Sequence, residues 1–264
     1  MTRSQIRAAL AEYSLKPLTR FGQNFLHDVN LCRWITQQIS IALNSPQQDP
    51  ILEIGPGLGS LTRHLLDSGF KLHAVEIDRG LCQYLLKSLN RYPHFQLTQC
   101  DILEFASLKK NYWPAIIGNL PYNLSTPILF AILEAYELPQ FLFFMLQEEL
   151  ADRLRAKPGT KNYGAPSVIL QEAYTITYLK TIPPQLFYPV PEVQSAILKF
   201  ERKRKQARDP EFLKFQVAVR LAFQQRRKQL CSTLPCNLKV RPEELSPDEW
   251  WTLAASLPDS FIRR

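Results

Sequence analysis

The sequence predicts an α/β fold: a mostly parallel sheet with helices on both faces, followed by a small helical C-terminal domain. Three observations predict it. Between Asp28 and Gln147, short apolar runs alternate with amphipathic helical stretches. The first run leads into a glycine-rich turn, E-I-G-P-G-L-G-S-L-T, of the kind that joins a strand to a helix. Beyond Lys205, two stretches open with an acceptor residue and a proline, D-P-E-F and S-P-D-E, as helices do.

Taken in order, Asp28 caps a helix through Leu43, P-I-L-E-I is a strand, and S-L-T-R-H-L-L-D-S-G is a helix ending at Gly69. K-L-H-A-V-E-I-D is the second strand of the series and Arg79 to Asn90 its helix; F-Q-L-T-Q and P-A-I-I-G-N are strands. Ser125 to Ala135 is helical and Q-F-L-F-F-M-L-Q is a buried strand. After Gly159 the style changes. T-Y-L-K-T-I-P and S-A-I-L-K-F-E flank the proline-rich P-P-Q-L-F-Y-P-V-P, which predicts an antiparallel addition at the sheet edge. The charge run E-R-K-R-K-Q-A-R marks a boundary, with the sheet domain over 28–202 and a helical domain over 203–264.

With 264 residues and 45% apolar side chains, the chain can bury one good core plus an appendage. It has no apolar run of membrane-spanning length, and its first residues lack a secretory core, so the expectation is a cytoplasmic protein. Five cysteines at unrelated spacings argue against a disulfide framework, and four scattered histidines give Cys231 and Cys236 no partners for zinc; no metal is expected. Charge is concentrated. Residues 199–241 hold 13 of the 32 Lys and Arg but only 3 of the 24 Asp and Glu. A segment so basic meets polyanions, and nucleic acid is the leading partner class.

In the glycine turn, Gly55, Gly57 and Gly59 let the backbone approach a ligand at a helix N-terminus. The third glycine comes one residue earlier than in a dinucleotide site, which favours S-adenosylmethionine over NAD. Glu76, twenty-one residues after Gly55, can accept the ribose hydroxyl protons, with Asp78 as the alternative carboxylate. Asp101, after the third strand, can accept from the adenine amino group, cap the next helix, or do both.

The fourth strand ends in Asn119-Leu120-Pro121-Tyr122, on the same sheet edge as the glycine turn. An exocyclic adenine amine is a poor nucleophile because its lone pair is delocalised into the ring. If the Asn119 oxygen and the Leu120 carbonyl accept its two hydrogens, the nitrogen is drawn toward tetrahedral geometry. Pro121 rigidifies that carbonyl, Tyr122 offers a face to a flipped base, and Phe187 in the proline-rich loop offers a second ring. No general base is needed, since the amine becomes acidic only once alkylated.

These motifs resemble those of the KsgA (RsmA) dimethyladenosine transferases, over most of the chain. R-F-G-Q-N-F-L from Arg20, E-I-G-P-G-L-G, N-L-P-Y-N-L-S-T-P, F-M-L-Q-E-E-L-A-D-R-L and A-F-Q-Q-R-R-K carry the resemblance. It implies a class I (Rossmann-like) S-adenosylmethionine-dependent methyltransferase sheet. Residues 1–27 would form an arm whose Asn24 and Leu26 close over the cofactor, with Gly55, Glu76, Asp101 and Asn119 completing the pocket. It also implies the substrate, two adjacent adenosines in the 3′-terminal hairpin loop of small-subunit rRNA within a pre-30S or 30S particle, and a monomeric enzyme. Two segments depart from the family pattern: V-P-E-V-Q-S carries Gln194 in the acidic place, and R-R-K is followed by Q-L-C-S-T-L, so that Cys231 to Leu234 differ. Arg226, Arg227 and Lys228 are the expected RNA contacts. The rival readings are a large-subunit rRNA methylase, which the N-L-P-Y and A-F-Q-Q-R-R-K strings oppose; a non-catalytic nucleic-acid-binding relative, which the intact Asn119 to Tyr122 string with Glu76 and Gly55 opposes; and an NAD-dependent oxidoreductase, which the glycine spacing opposes.

Overall fold

The computed structural model describes residues 1–18, 22–44, 48–105, 108, 110–203 and 209–258. Nine strands are described: β1 (Phe25–Leu26), β2 (Ile51–Ile54), β3 (Leu72–Glu76), β4 (Phe95–Gln99), β5 (Ala115–Asn119), β6 (Phe141–Gln147), β7 (Tyr174–Ile182), β8 (Phe187–Tyr188) and β9 (Ser195–Arg202). The main α-helices are α1 (Arg3–Glu12), α2 (Val29–Leu43), α3 (Ser60–Asp67), α4 (Arg79–Ser88), α5 (Ser125–Ile132), α6 (Glu148–Leu154), α7 (Ala165–Ala173), α8 (Pro210–Gln224) and α9 (Pro247–Ser256). None of the described helices is long and apolar enough to cross a membrane.

Seven strands form one sheet in the order β4-β3-β2-β5-β6-β9-β7. The first five are parallel, and β9 and β7 are antiparallel, which is the edge addition the proline-rich stretch predicts. The central strands are apolar on both sides because helices cover both faces. Along β6, Phe141, Phe143 and Met145 enter one core and Leu142, Phe144 and Leu146 the other, the period-two alternation of a pleated strand. The first core lies under α1 to α4. The second lies under α5 to α9 and takes in Phe212, Phe215, Trp250 and Leu253, so the basic C-terminal helices share its apolar interior.

Local chemistry explains the helix boundaries. The Asp28 carboxylate accepts from the Leu31 amide at 2.6 Å to start α2, and Asp209 and Ser246 cap α8 and α9 in the same way. The proline at the first position of each C-terminal helix lacks an N–H that would have no partner there. Three helices were not expected from the sequence, α1, α6 and α7, although α1 opens with a capping box between Thr2 and Gln5. Each is short, and α7 opens on Gly164 with no side-chain cap of its own; Ser167 supplies the hydroxyl that accepts from the Gly164 amide.

Strands β2 and β3 run outward from the centre to one side, and β5 and β6 run to the other. The chain therefore reverses its direction of growth between β2 and β5, where a crevice opens beyond the carboxyl ends of the strands. At this point Gly118 pairs with Ile54, and a Cβ on Gly118 would sit 2.6 Å from the Ile54 carbonyl oxygen. Neither backbone can yield without distorting the ladder. Gly118→Ala is expected to cost about 1 to 3 kcal/mol of stability, the usual range for overpacking; a urea midpoint equal to the parent's would show that the two strands can separate at no cost.

Candidate active site

A cavity opens at that crevice, lined by the ends of β2 to β6, the glycine turn, the turn after Asn119, and residues Gly22 to Leu26. Of the residues singled out in the sequence, Asn24, Leu26, Gly55, Glu76, Asp101, Asn119 and Pro121 line it. Leu120 is buried just behind, and its amide donates to the Met145 carbonyl at 3.1 Å.

The glycine turn is shaped by backbone sterics. Gly55 and Gly57 adopt φ of 64° and 59°, a region other residues enter at a cost. The Phe25 ring lies where a Gly57 Cβ would be, at 3.0 Å, so a side chain there would push the N-terminal segment off the turn. The Gly57 amide donates to Glu76 Oε2 at 3.2 Å and the Asp78 amide to Oε1 at 3.0 Å. One carboxylate thus ties the turn after β2 to the end of β3. Asp78, the alternative acid, is committed elsewhere: its Oδ1 caps α4 through the Gly80 and Leu81 amides at 2.8 and 3.1 Å, and its Oδ2 accepts from Gln23. Asp101 Oδ1 accepts from the Leu103 amide at 2.9 Å in a turn, while the residue still faces the cavity.

Glu53 also lines the cavity, although the sequence did not single it out. It is 3% exposed, and its Oε2 finds no hydrogen-bond partner among the described residues; Ser60 Oγ, also on the lining, finds none. An acid one residue before the end of a fully buried strand was the available signal. Burial, with the Glu76 charge adding to it, pushes the Glu53 carboxyl up to about 7. Burial likewise pushes Glu76 up to about 7, against the hydrogen bonds from the Asp78 and Gly57 amides.

At the end of β5, Asn119 Nδ2 donates to the Asn24 carbonyl at 2.9 Å. An amide whose NH2 is engaged by a carbonyl offers its oxygen on the opposite side. The following turn is held by the Pro121 carbonyl, which accepts from Ser125 Oγ at 2.9 Å and from the Leu124 amide at 3.0 Å. The Tyr122 hydroxyl bonds to Ser195 Oγ at 2.8 Å, and burial pushes it above its ordinary range. Ser195 was missed. It sits in V-P-E-V-Q-S, whose departing residue, Gln194, is exposed and contributes its carbonyl to the Glu148 amide at 3.0 Å.

Two expectations need correction. The Phe187 ring does not reach the cavity: it is 0% exposed, because the proline-rich loop folds back as β8 and pairs Phe187 with Leu26. The three expected RNA contacts, Arg226, Arg227 and Lys228, follow the end of α8 and are not equally available. Arg226 is engaged within the chain, its guanidinium donating to the Lys161 and Thr160 carbonyls at 2.9 and 3.2 Å and lying 3.7 Å from Glu243. Arg227 and Lys228 are exposed. Arg20 and residues 204–208 of the charge run lie outside the described residues.

The family model for ribosomal RNA adenine dimethylase matches residues 15–248. The chain belongs to that family. Within the curated dimethylase relatives, a ribosomal RNA small subunit methyltransferase A of Francisella tularensis subsp. novicida (strain U112) is 37% identical over 261 residues, spanning 92% of this chain and 98% of the relative. The protein of that name from F. tularensis subsp. tularensis (strain WY96-3418) matches over the same shares at 37%. Among solved structures, a dimethyladenosine transferase from Plasmodium falciparum shares the fold with a TM-score of 0.69 at 20% identity, over 83% of this chain and 94% of that one. The 23S rRNA methyltransferase ErmE does so with a TM-score of 0.67 at 23% identity, over 89% and 99%. The dimethylase fold is thus a Rossmann-like methyltransferase sheet, and the family takes its methyl group from S-adenosylmethionine.

The two raised carboxyls set a pH dependence. Their folded values, about 7, stand above the ordinary carboxyl value of 4.5, so between those limits the folded chain binds more protons than the unfolded one. Stability from these groups is therefore present at low pH and lost as pH rises through 7. Glu76→Gln, which carries no charge to bury, is expected to gain stability relative to the parent as pH rises from 5 to 8. Thermal melts of both proteins across that range check it, and a constant difference would place Glu76 in contact with water.

Proposed function

We propose that the chain transfers methyl groups from S-adenosylmethionine to the exocyclic N6 amines of two adjacent adenosines in the 3′-terminal hairpin loop of small-subunit (16S) rRNA. It acts as a cytoplasmic monomer on rRNA within a pre-30S or 30S particle and takes part in subunit biogenesis. The observation that carries the chemistry is the Asn119 amide, anchored through its nitrogen at the cavity and presenting its oxygen. The name shared by the curated relatives supports the small subunit over the large.

The cavity fits the methyl donor. Glu76 supplies the carboxylate for ribose hydroxyls, Gly55 leaves open space beside the turn, Asp101 keeps a second oxygen for the adenine amine, and the unpartnered Glu53 Oε2 and Ser60 Oγ await a polar tail. Asn24 and Leu26 close its open side. S-adenosylmethionine supplies an electrophilic methyl group on a sulfonium centre. The chain's own part is positional: Asn119 Oδ1 and the Leu120 carbonyl accept the two amine hydrogens and aim the lone pair. Tyr122, held by Ser195, presents its ring to the extruded base. Arg227 and Lys228 contact phosphate, with Arg226 fixing the segment that carries them. Arg3 and Arg7, exposed and both over the Tyr188 ring at 5.5 and 5.3 Å, offer further cations on the arm side.

The test is transfer of labelled methyl to small subunits lacking the modification, followed by mapping of the modified bases; label on another RNA, or none, rejects the reading. Asn119→Ala is expected to raise the barrier by about 2 to 4 kcal/mol, with cofactor affinity largely retained. Near-normal turnover in that variant would remove Asn119 from the chemistry. Arg227→Gln with Lys228→Gln should bind substrate more weakly, flattening the plot of log affinity against log salt by roughly 0.7 to 0.9 per lost contact. An unchanged slope would move the RNA surface elsewhere.

A further inference from the structure

The Asn119 amide can rotate by half a turn with little change in shape, which would exchange its oxygen for its NH2 group. In the flipped state a donor faces the substrate amine, and the amine's hydrogens lose their acceptor. What opposes the flip is the Asn24 main-chain carbonyl, which can only accept and so selects the NH2 side at 2.9 Å. Asn24 belongs to the N-terminal segment, so the orientation depends on where that segment lies.

Gln23 holds it there. Its side-chain oxygen accepts from the Leu18 amide at 2.8 Å, and its side-chain nitrogen donates to Asp78 Oδ2 at 3.0 Å. Both ends of this amide are committed to partners of fixed polarity, so its own orientation is unambiguous. Asp78 is itself immobilised as the cap of α4 and, through its amide, by Glu76 Oε1. Gly22 lies against Pro121, where a Cβ would be 3.4 Å from the proline ring, so this same stretch touches the loop that carries Asn119.

We infer that Gln23 is a positioning residue for methyl transfer: by binding Asp78 it places the Asn24 carbonyl so that Asn119 is fixed with its oxygen toward the substrate amine. The inference rests on the methyl-transfer reading above. It makes the carboxylate region at the end of β3 and the catalytic amide at the end of β5 parts of one hydrogen-bonded chain.

The experiment is a double-mutant cycle under single-turnover conditions, with the parent assayed first so that failure of the parent to methylate small subunits rejects the methyl-transfer reading itself. Gln23→Ala, and Gln23→Met as a variant that keeps the volume, are each expected to lower the rate of transfer about 10- to 100-fold, the loss of a hydrogen bond to a charged group. With cofactor and substrate saturating, the loss should persist in the rate of transfer, because it arises at Asn119 and not in the cavity wall that Gln23 also lines. In an Asn119→Ala background the same substitutions should cost nothing further, because the group they act through is gone. Full additivity of the two losses, or a fall in cofactor affinity that accounts for the rate, would overturn the inference and leave Gln23 a strut of the cavity wall. A parent-like rate in both Gln23 variants would overturn it as well.

Discussion

Where β2 and β5 pair, Ile54 and Gly118 meet with no room for a side chain, and the site depends on that closeness. The strand that delivers the glycine turn and the strand that delivers Asn119 are direct neighbours only because the sheet grows outward in both directions from this pair. The crevice beyond their ends is a consequence of connectivity, since no helix crosses between two strands whose connections leave on opposite sides. The glycine-turn cavity and the Asn119 amide therefore share one wall without any dedicated element to join them.

The cavity carries an electrostatic cost that the fold accepts. Glu53 and Glu76 are both buried, and burial raises both, with the Glu76 charge adding to it at Glu53 and the Asp78 charge at Glu76. Two backbone amides offset part of that cost at Glu76, and they double as the link between the turn after β2 and the end of β3. Glu53 receives less compensation, and its unpartnered oxygen is the kind of buried polar atom that in a stable fold marks a ligand site. Stability and ligand binding are opposed at these two carboxyls, as expected where a protein keeps charge in a partly dry pocket.

The N-terminal segment is tied to the cavity wall at several points. Phe25 packs on Gly57, Gln23 binds Asp78, and Asn24 binds Asn119, so three short contacts reach three separate strand ends. The ribbon of β1 with β8 carries the same segment onto the proline-rich loop, which explains why Phe187 is buried there instead of standing free.

Much of this was legible in the residues themselves. Caps at Asp28, Asp209 and Ser246, the apolar run of β6 from Phe141 to Leu146, and the glycine turn are local signals, set by backbone donors, side-chain acceptors and apolar side chains a few residues apart, and each produced the element it implied. The candidate residues Gly55, Glu76, Asp101 and Asn119 were legible because strand ends of a parallel sheet converge on one edge whatever the loops do. The helices α6 and α7 were not, since neither has a side-chain cap of its own and each owes its stability to the surface it covers, contributed by distant parts of the chain; α1 went unread although its capping box is local. Nor could residue order tell Glu76 from Asp78, reveal that Ser195 meets Tyr122 or that Arg226 is spent on the Thr160 and Lys161 carbonyls, or bury Phe187. Each of those is a contact between residues far apart in sequence or a choice between two near neighbours, and only the packed tertiary structure decides which partner a polar group finds.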